Sequence, residues 1–134
     1  MLTQEELIKA GREMRRTLFG PQAVDRFYRE SPTALGAPDF ARLTDAVLMG
    51  QVWTRPGLEL KLRSLVTIAA LVVLGRRQEL RSHIAAGIRL GLTREQIVEA
   101  IMQLAFYAGQ TVAHPAFRAA KEVFDQLEKS DQPL

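Results

Sequence analysis

The chain has 134 residues, of which 47% are hydrophobic and 25% are charged, with a formal net charge of +3. This length and balance exclude a disordered chain and are typical of a soluble globular protein, so we expect one domain over residues 1–134. The absence of cysteine excludes disulfides, thiolate metal ligands and thiol catalysis. The charge is too small to indicate a nucleic-acid partner, and we expect none.

The N-terminal segment predicts no export. It reads MLTQEELIKAGREMRR, with charges where a secretory signal needs an apolar run. The longest apolar stretch, Leu65 to Leu74, is about half of the roughly 20 residues that a membrane span requires. We therefore expect a cytoplasmic protein that does not enter a membrane.

Helical spacing of apolar residues organises the N-terminal half. Thr3 and Glu6 form a capping-box pattern, which predicts a first helix over residues 3–18. Pro21 suits the first turn of a short second helix. After the loop SPTALGAP, the apolar spacing from Asp39 predicts a third helix that ends near Gly50.

A central helix is predicted from Leu58 to Leu74. The segment before it, Trp53 to Gly57, is predicted to be a connector because Pro56 disfavours helical geometry in the preceding residue. The central helix is apolar almost all round, and Gly75 is expected to end it in the left-handed conformation. Such a helix is buried between neighbours or lies at a subunit contact.

Three further helices are predicted in the C-terminal half. The first covers about 77–90, and the second begins at another capping box, Thr93 to Gln96, and closes at Gly109. The last runs from about His114 to Glu128, and the tail KSDQPL is expected to fray. Since no strand-like alternation competes with these patterns, the fold class is all-α, a single-domain bundle of about six or seven helices.

Glu79 and His83 are candidate catalytic residues. Their spacing of four residues stacks them on one face of a helix, where the carboxylate could orient an imidazole that changes protonation near neutral pH. That arrangement suits a proton donor. It is equally the spacing of an exposed ion pair worth a few tenths of a kcal/mol, and spacing alone favours the ion pair.

Arg63 is a cation beside the apolar residues of the central helix. Its guanidinium could hold a substrate carboxylate through two parallel hydrogen bonds, or it could form a structural ion pair with Glu59 or Glu79. Both interpretations stay open at this point.

Aromatic residues and a second histidine complete the candidates. Trp53, Phe106 and Tyr107 could wall a pocket, although aromatic residues at such positions more often belong to the core. His114 precedes Pro115 where a helix is predicted to begin, so it could bind substrate or be a helix-terminal residue. With two histidines and no cysteine, we expect no metal site.

Several segments together resemble the carboxymuconolactone decarboxylase family, whose relatives include the alkylhydroperoxidase D-like proteins. The resemblance covers about Gly11 to Leu127. The segments that carry it are Trp53 to Leu58, Arg63 to Ala69, Glu79-Leu80 with His83-Ile84, Gly91 to Ile97, Tyr107 to Gly109, and Ala116 to Phe124. The resemblance implies an all-helical subunit that assembles into a homo-oligomeric ring, a hexamer or a trimer-based relative, with pockets near subunit contacts.

The resemblance also implies a reaction. The peroxidase branch of the relatives depends on a CxxC pair, which this chain lacks, so thiol-dependent peroxide reduction is not expected. The decarboxylase branch converts γ-carboxymuconolactone to the 3-oxoadipate enol-lactone in protocatechuate breakdown, without metal or organic cofactor. In that reaction His83 would donate the proton, Glu79 would orient it and Arg63 would hold a carboxylate or stabilise the oxyanion. Trp53 and Tyr107 would help form the pocket.

Three segments differ from the decarboxylase pattern. A histidine-valine pair is replaced by Ala23-Val24, a YAWG-like aromatic run by Val47 to Gly50, and a VPAAN-like segment by Gln110 to His114. These differences leave open a different acid or lactone as substrate. They also leave the alternative of a non-catalytic helical oligomer or small-molecule binding protein.

Overall fold

A computed structural model describes residues 1–30 and 37–131 and divides the chain into two compact units, Met1–Glu59 and Leu60–Leu134. Most of the predicted loop SPTALGAP and the last three residues of the predicted fraying tail lie outside the described residues. The assignment of residues 1–134 to a single domain stays a prediction.

Helices make up both units. The first unit contains α1 (Gln4–Phe19), α2 (Pro21–Glu30), α3 (Pro38–Leu43) and a π-helix (Thr44–Val52). The second contains α4 (Leu60–Leu74), α5 (Arg77–Arg89), α6 (Arg94–Ala108) and α7 (Gln110–Asp131). Across residues 1–30 and 37–131 there is no strand, which confirms the all-α prediction.

Both predicted capping boxes are present. The Thr3 hydroxyl accepts a hydrogen bond from the Glu6 amide, and the Glu6 carboxylate accepts one from the Thr3 amide in return. Thr93 and Gln96 repeat the arrangement at the start of α6. Each box satisfies amides that an isolated helix end would leave to solvent, which fixes where α1 and α6 begin.

The prediction of one α-helix from Asp39 to Gly50 is wrong. The α-helical part ends at Leu43, and Thr44–Val52 continues as a π-helix. Apolar spacing over so short a segment cannot distinguish the two helix types, because a π-helix differs only by one additional residue between hydrogen-bonded partners. The π-helix makes its close contacts with α1, which is distant in the sequence, so local spacing carries no information about them.

Two glycines allow α1 and the π-helix to touch through their backbones. A Cβ atom at Gly11 would lie 1.9 Å from the Asp45 carbonyl oxygen, and one at Gly50 would lie 2.3 Å from the Leu7 carbonyl oxygen. Both distances are far shorter than any real Cβ contact. The two helices can therefore pack this closely only with glycine at both positions.

The central helix α4 is buried along one side only. Ile68 and Val72 are buried in the core of the second unit, whereas Val66, Val73 and Leu74 are exposed. The helix begins at Leu60, two residues later than predicted, and Gly75 follows its end with a φ of 69°, as expected. Neighbours within this chain thus do not surround α4.

Helices α4 to α7 enclose one hydrophobic core. Helix α4 packs against α5, α6 and α7, and α7 also packs against α5 and α6. The buried side chains recur at helical spacing on each element. They are Ile68, Val72, Leu80, Ile84, Leu92, Ile97, Ile101, Ala113, Ala116, Ala119, Ala120 and Val123.

The last helix is longer than the sequence suggested. It begins at Gln110, directly after Gly109, so that Pro115 lies inside the helix. Proline there removes the hydrogen bond that the Thr111 carbonyl would accept, but Thr111 is exposed and water can solvate the oxygen. The helix also continues to Asp131, three residues beyond the predicted end. Among the described residues, no helix is long and apolar enough to cross a membrane.

Candidate active site

Arg63 and His83 lie on two neighbouring helices that pack together, α4 and α5. A Cβ atom at Gly87 would lie 3.0 Å from the Ser64 hydroxyl, so Gly87 marks the line where α5 meets α4. His83 precedes Gly87 by four residues and therefore stacks one turn away on the same face of α5. Arg63 is the immediate neighbour of Ser64 on α4.

The buried polar side-chain atoms of this helix pair include the Nε of Arg63, the Oγ of Ser64 and the Nδ1 of His83. Arg63 and His83 as whole residues are half-buried, so each also reaches less protected surroundings. A ring nitrogen and a guanidinium nitrogen are thus buried on the same packed helix pair, where a low local dielectric strengthens electrostatic interactions.

Glu79 differs from His83 in its surroundings. It occupies the first turn of α5 and is exposed, whereas His83 one turn later is half-buried. The sequence spacing thus places the two residues on one helix face as expected, at different depths.

Helix α5 is fixed to α7 on its outer side. Arg81 donates a 2.7 Å hydrogen bond to the Glu122 carboxylate, and Arg77 donates a second one to the same group. The hydrogen bonds from Arg81 and Arg77 lower the pKa of Glu122, so the carboxylate stays charged. This pair of contacts helps to orient the helix that carries His83.

The remaining candidates differ in their exposure. Tyr107, at the C-terminal end of α6, is 84% exposed, and Phe106 beside it is 83% exposed. The interpretation of Phe106 and Tyr107 as core residues is therefore wrong. His114 is exposed on the second turn of α7 rather than at a helix start, because the helix begins four residues earlier. Trp53 belongs to the first unit, where it is 5% exposed.

An open apolar groove of about 740 Å³ runs between α4 and α6. Its floor and walls include Leu62, Val66, Met102 and Phe106, and charged or amide side chains stand at its edges. Arg63, Glu79 and His83 are not among the residues that line it. The groove thus shares α4 with the helix pair that carries the candidate catalytic residues, but other side chains line it.

Two polar features escaped the sequence interpretation. The buried Ser64 hydroxyl follows the charged residue Arg63, just before the apolar stretch Leu65 to Leu74, so its burial was not predicted. In the first unit, Asp45 is a fully buried carboxylate bound by Arg15 and Tyr28. The partners come from three separate helices, so no sequence spacing connects them. In the described part of the chain, no group of three or more acidic, histidine or cysteine residues could hold a metal ion.

Comparison with known proteins bears on the same residues. The carboxymuconolactone decarboxylase family profile matches residues 38–122, which include Trp53, Arg63, Glu79, His83 and Tyr107. A 4-carboxymuconolactone decarboxylase of Acinetobacter baylyi is 36% identical over 126 residues, covering 94% of this chain and 92% of its own length.

Two more distant relatives extend the comparison. A nitrosuccinic acid decarboxylase of Metarhizium robertsii is 29% identical, covering 93% of this chain and 87% of its own. An uncharacterized 15.0 kDa protein of Paracoccus denitrificans is 29% identical, covering 90% of this chain and 89% of its own. The two relatives that carry an activity in their names are both decarboxylases, which supports a carboxy-lyase. The profile match and the 36% identity place this chain in the carboxymuconolactone decarboxylase family.

Proposed function

We propose that this protein is a cytoplasmic, cofactor-free decarboxylase of a small lactone carboxylate, with γ-carboxymuconolactone as the reference substrate. The observation that carries the proposal is the 36% identity to a 4-carboxymuconolactone decarboxylase over 94% of the chain. The burial of polar atoms of Arg63 and His83 on one packed helix pair supports it.

The substrate itself supplies the electron sink. When the bond from the γ carbon to the carboxylate breaks, CO₂ leaves and its electron pair spreads through the unsaturated ring onto the lactone carbonyl oxygen. The resulting dienolate is then protonated on a ring carbon, which completes the balance. The protein has to exclude water, stabilise the developing oxyanion and deliver one proton.

In the proposed mechanism each task has a residue. His83 donates the proton from a ring with one buried nitrogen, and it regains a proton from solvent after each turnover. Arg63 binds a carboxylate or the carbonyl oxygen through its guanidinium. Glu79 orients the imidazole from the exposed side of the same helix face. Trp53, Tyr107 and His114 contribute to substrate binding.

A homo-oligomer, as a hexamer or a trimer-based ring, is part of the proposal. Within the single chain α4 exposes Val66, Val73 and Leu74, and the adjoining groove exposes Met102 and Phe106. Contiguous apolar surface of this kind marks protein interfaces. A second copy that covers it would also bury Tyr107 next to Phe106 and give that side chain the enclosure that a pocket residue needs.

The decisive experiment is turnover of γ-carboxymuconolactone by the purified protein, followed as CO₂ release. We expect His83→Ala to lower kcat roughly 100- to 10,000-fold, which is the usual contribution of a positioned proton donor. Ser82→Ala changes an exposed neighbour on the same helix and serves as the matched control. Unchanged turnover in His83→Ala would remove His83 from the mechanism.

The second candidate function is a non-catalytic helical oligomer or small-molecule binding protein. The apolar groove between α4 and α6 favours it, because the groove does not contain the candidate catalytic residues. This candidate predicts no turnover by the wild-type protein on any carboxylated lactone. Detectable CO₂ release that depends on His83 would eliminate it.

A further inference from the structure

The π-helix Thr44–Val52 is the least expected element of the chain. π-helices are rare, usually single-turn, and frequently occur at functional sites. Here the pattern extends past the helix, because the Trp53 amide donates a 2.9 Å hydrogen bond to the Leu48 carbonyl, five residues earlier. The position of Trp53 is therefore tied to the register of this helix.

Backbone contacts with α1 fit the π-helix closely. Gly11 lies against the Asp45 carbonyl, and Gly50 lies against the Leu7 carbonyl. The contacts involve the two ends of the helix, five residues apart. A change to α-helical hydrogen bonding would rotate Gly50 relative to Asp45 and bring a side chain against α1 in its place.

The side chain of Asp45 adds a polar connection to two further helices. It is 0% exposed, and its carboxylate accepts hydrogen bonds from the Arg15 guanidinium and, at 2.8 Å, from the Tyr28 hydroxyl. Arg12 lies 3.7 Å away at the more exposed edge. One carboxylate of the π-helix is thus held from both α1 and α2.

Arg15 is itself fixed. It is buried, and its guanidinium carbon lies 4.3 Å from the centre of the Phe27 ring. A buried ion pair contributes little net stability, because desolvation offsets the attraction, but it disfavours arrangements that would separate the charges. Any shift of the π-helix would leave the Arg15 charge buried without its partner.

We propose that Arg15, Asp45 and Tyr28 form a positioning network that sets the register of the π-helix and, through it, the place of the Trp53 indole. The network acts through Trp53 and does not touch substrate. The effect of the network on catalysis rests on the proposed function, in which Trp53 contributes to the pocket. The effect of the network on the position of the indole is independent of the proposed function.

Trp53 makes the proposal directly measurable, because it is the single tryptophan of the sequence. Its emission maximum and its quenching by acrylamide report the burial of one side chain. We expect Asp45→Asn to shift the emission to longer wavelength and to increase quenching, while far-UV circular dichroism stays helical. Tyr28→Phe should change both signals in the same direction by a smaller amount.

The matched control is Glu5→Gln. Glu5 and Arg42 form a 2.5 Å ion pair between α1 and α3 that is exposed to solvent. Its loss removes a charged contact from the same unit without touching the network. We expect wild-type emission and wild-type quenching in this variant.

The proposal would be overturned if the Asp45→Asn variant folds and its Trp53 emission and acrylamide quenching match those of the wild type. If Asp45→Asn does not fold, Tyr28→Phe decides on the same two signals, since it leaves the ion pair between Arg15 and Asp45 intact and removes the hydrogen bond from Tyr28 to Asp45. Kinetics provide a further readout: we expect KM for γ-carboxymuconolactone to rise about fivefold in Tyr28→Phe with a smaller effect on kcat. Absence of turnover in the wild type would overturn the proposed function, while the emission signals would still decide the role of the network.

Discussion

The Tyr28 hydroxyl donates a 2.8 Å hydrogen bond to the buried carboxylate of Asp45. Burial, together with this hydrogen bond and the charge of Asp45, raises the pKa of Tyr28 to about 12 from its usual value of 10.0. The neutral phenol is therefore favoured in the folded protein.

A pH dependence of stability follows from that shift. Between pH 10.0 and about 12 the unfolded chain has lost the Tyr28 proton while the folded protein retains it. The free energy of unfolding should decrease over this window, and the contribution should be complete below pH 10.0. Urea unfolding of the wild type and of Tyr28→Phe at several pH values in this window measures the decrease. If the free energy of unfolding falls equally steeply with pH in both proteins, the prediction is contradicted.

Removal of one partner of the buried ion pair should be costly. We expect Arg15→Met to lower the free energy of unfolding by about 3–5 kcal/mol, because the Asp45 carboxylate stays buried without its main counter-charge. The double variant Arg15→Met with Asp45→Leu should recover most of the loss, since apolar pairs of similar size often replace buried ion pairs without cost. Denaturant midpoints of the single and double variants test both expectations. If the double variant loses as much free energy of unfolding as the sum of the two single variants, the prediction is wrong.

Replacement of Ser64 should stabilise the protein. The Ser64 hydroxyl is 0% exposed and has no hydrogen-bond partner within the described residues. Ser64→Ala removes that unsatisfied group, so we expect the free energy of unfolding to rise by about 1 kcal/mol. Thr67→Ala is the control, because the Thr67 hydroxyl donates to the Arg63 carbonyl and its loss brings no such gain. A destabilised Ser64→Ala would argue against the prediction.

Arg63 should not tolerate replacement by lysine. Lysine retains the positive charge but loses the planar fork that grips a carboxylate at two points. We expect Arg63→Lys to lower kcat/KM for γ-carboxymuconolactone roughly 10- to 100-fold, which corresponds to the loss of a charged hydrogen bond. Steady-state kinetics measure the effect. Wild-type kcat/KM in this variant would assign Arg63 a structural role instead.

Phe106 should be important for assembly. It is 83% exposed beside the apolar groove, and a carboxylate in its place would have to be buried in any contact there. We expect Phe106→Asp to convert the oligomer to a species near 15.0 kDa in native mass spectrometry. Gln126→Asp, an exposed change on α7, should leave the mass unchanged. An oligomer of unaltered mass in Phe106→Asp would place the interface elsewhere.

Local patterns determined how much of the fold could be predicted. The capping boxes at Thr3 and Thr93 and the turn at Gly75 act within a few residues, and all three were predicted correctly. The family and its decarboxylase relatives were likewise predicted, because motif residues such as Arg63 and His83 stand close together in sequence. The catalytic roles of these residues stay predictions.

The features that escaped prediction depend on distant partners. The π-helix is fitted to α1 through Gly11 and Gly50, and its carboxylate Asp45 meets Arg15 thirty residues away. The local sequence of either segment does not indicate that it contacts the other. The exposure of Phe106 was missed for a related reason, since an apolar residue on a helix looks the same whether it faces its own core or another molecule.

The contact between α1 and the π-helix also bears on how each unit folds. In the second unit, contacts between successive helices, α4 with α5 and α6 with α7, close short loops, in addition to the contacts of α4 with α6 and α7 and of α5 with α7. In the first unit, α1 has to meet residues thirty or more positions later, with α2 and α3 in between. Closing the longer loop costs more chain entropy before any contact repays it. During synthesis α1 therefore emerges before the π-helix and reaches its contacts with that helix only after the π-helix has left the ribosome.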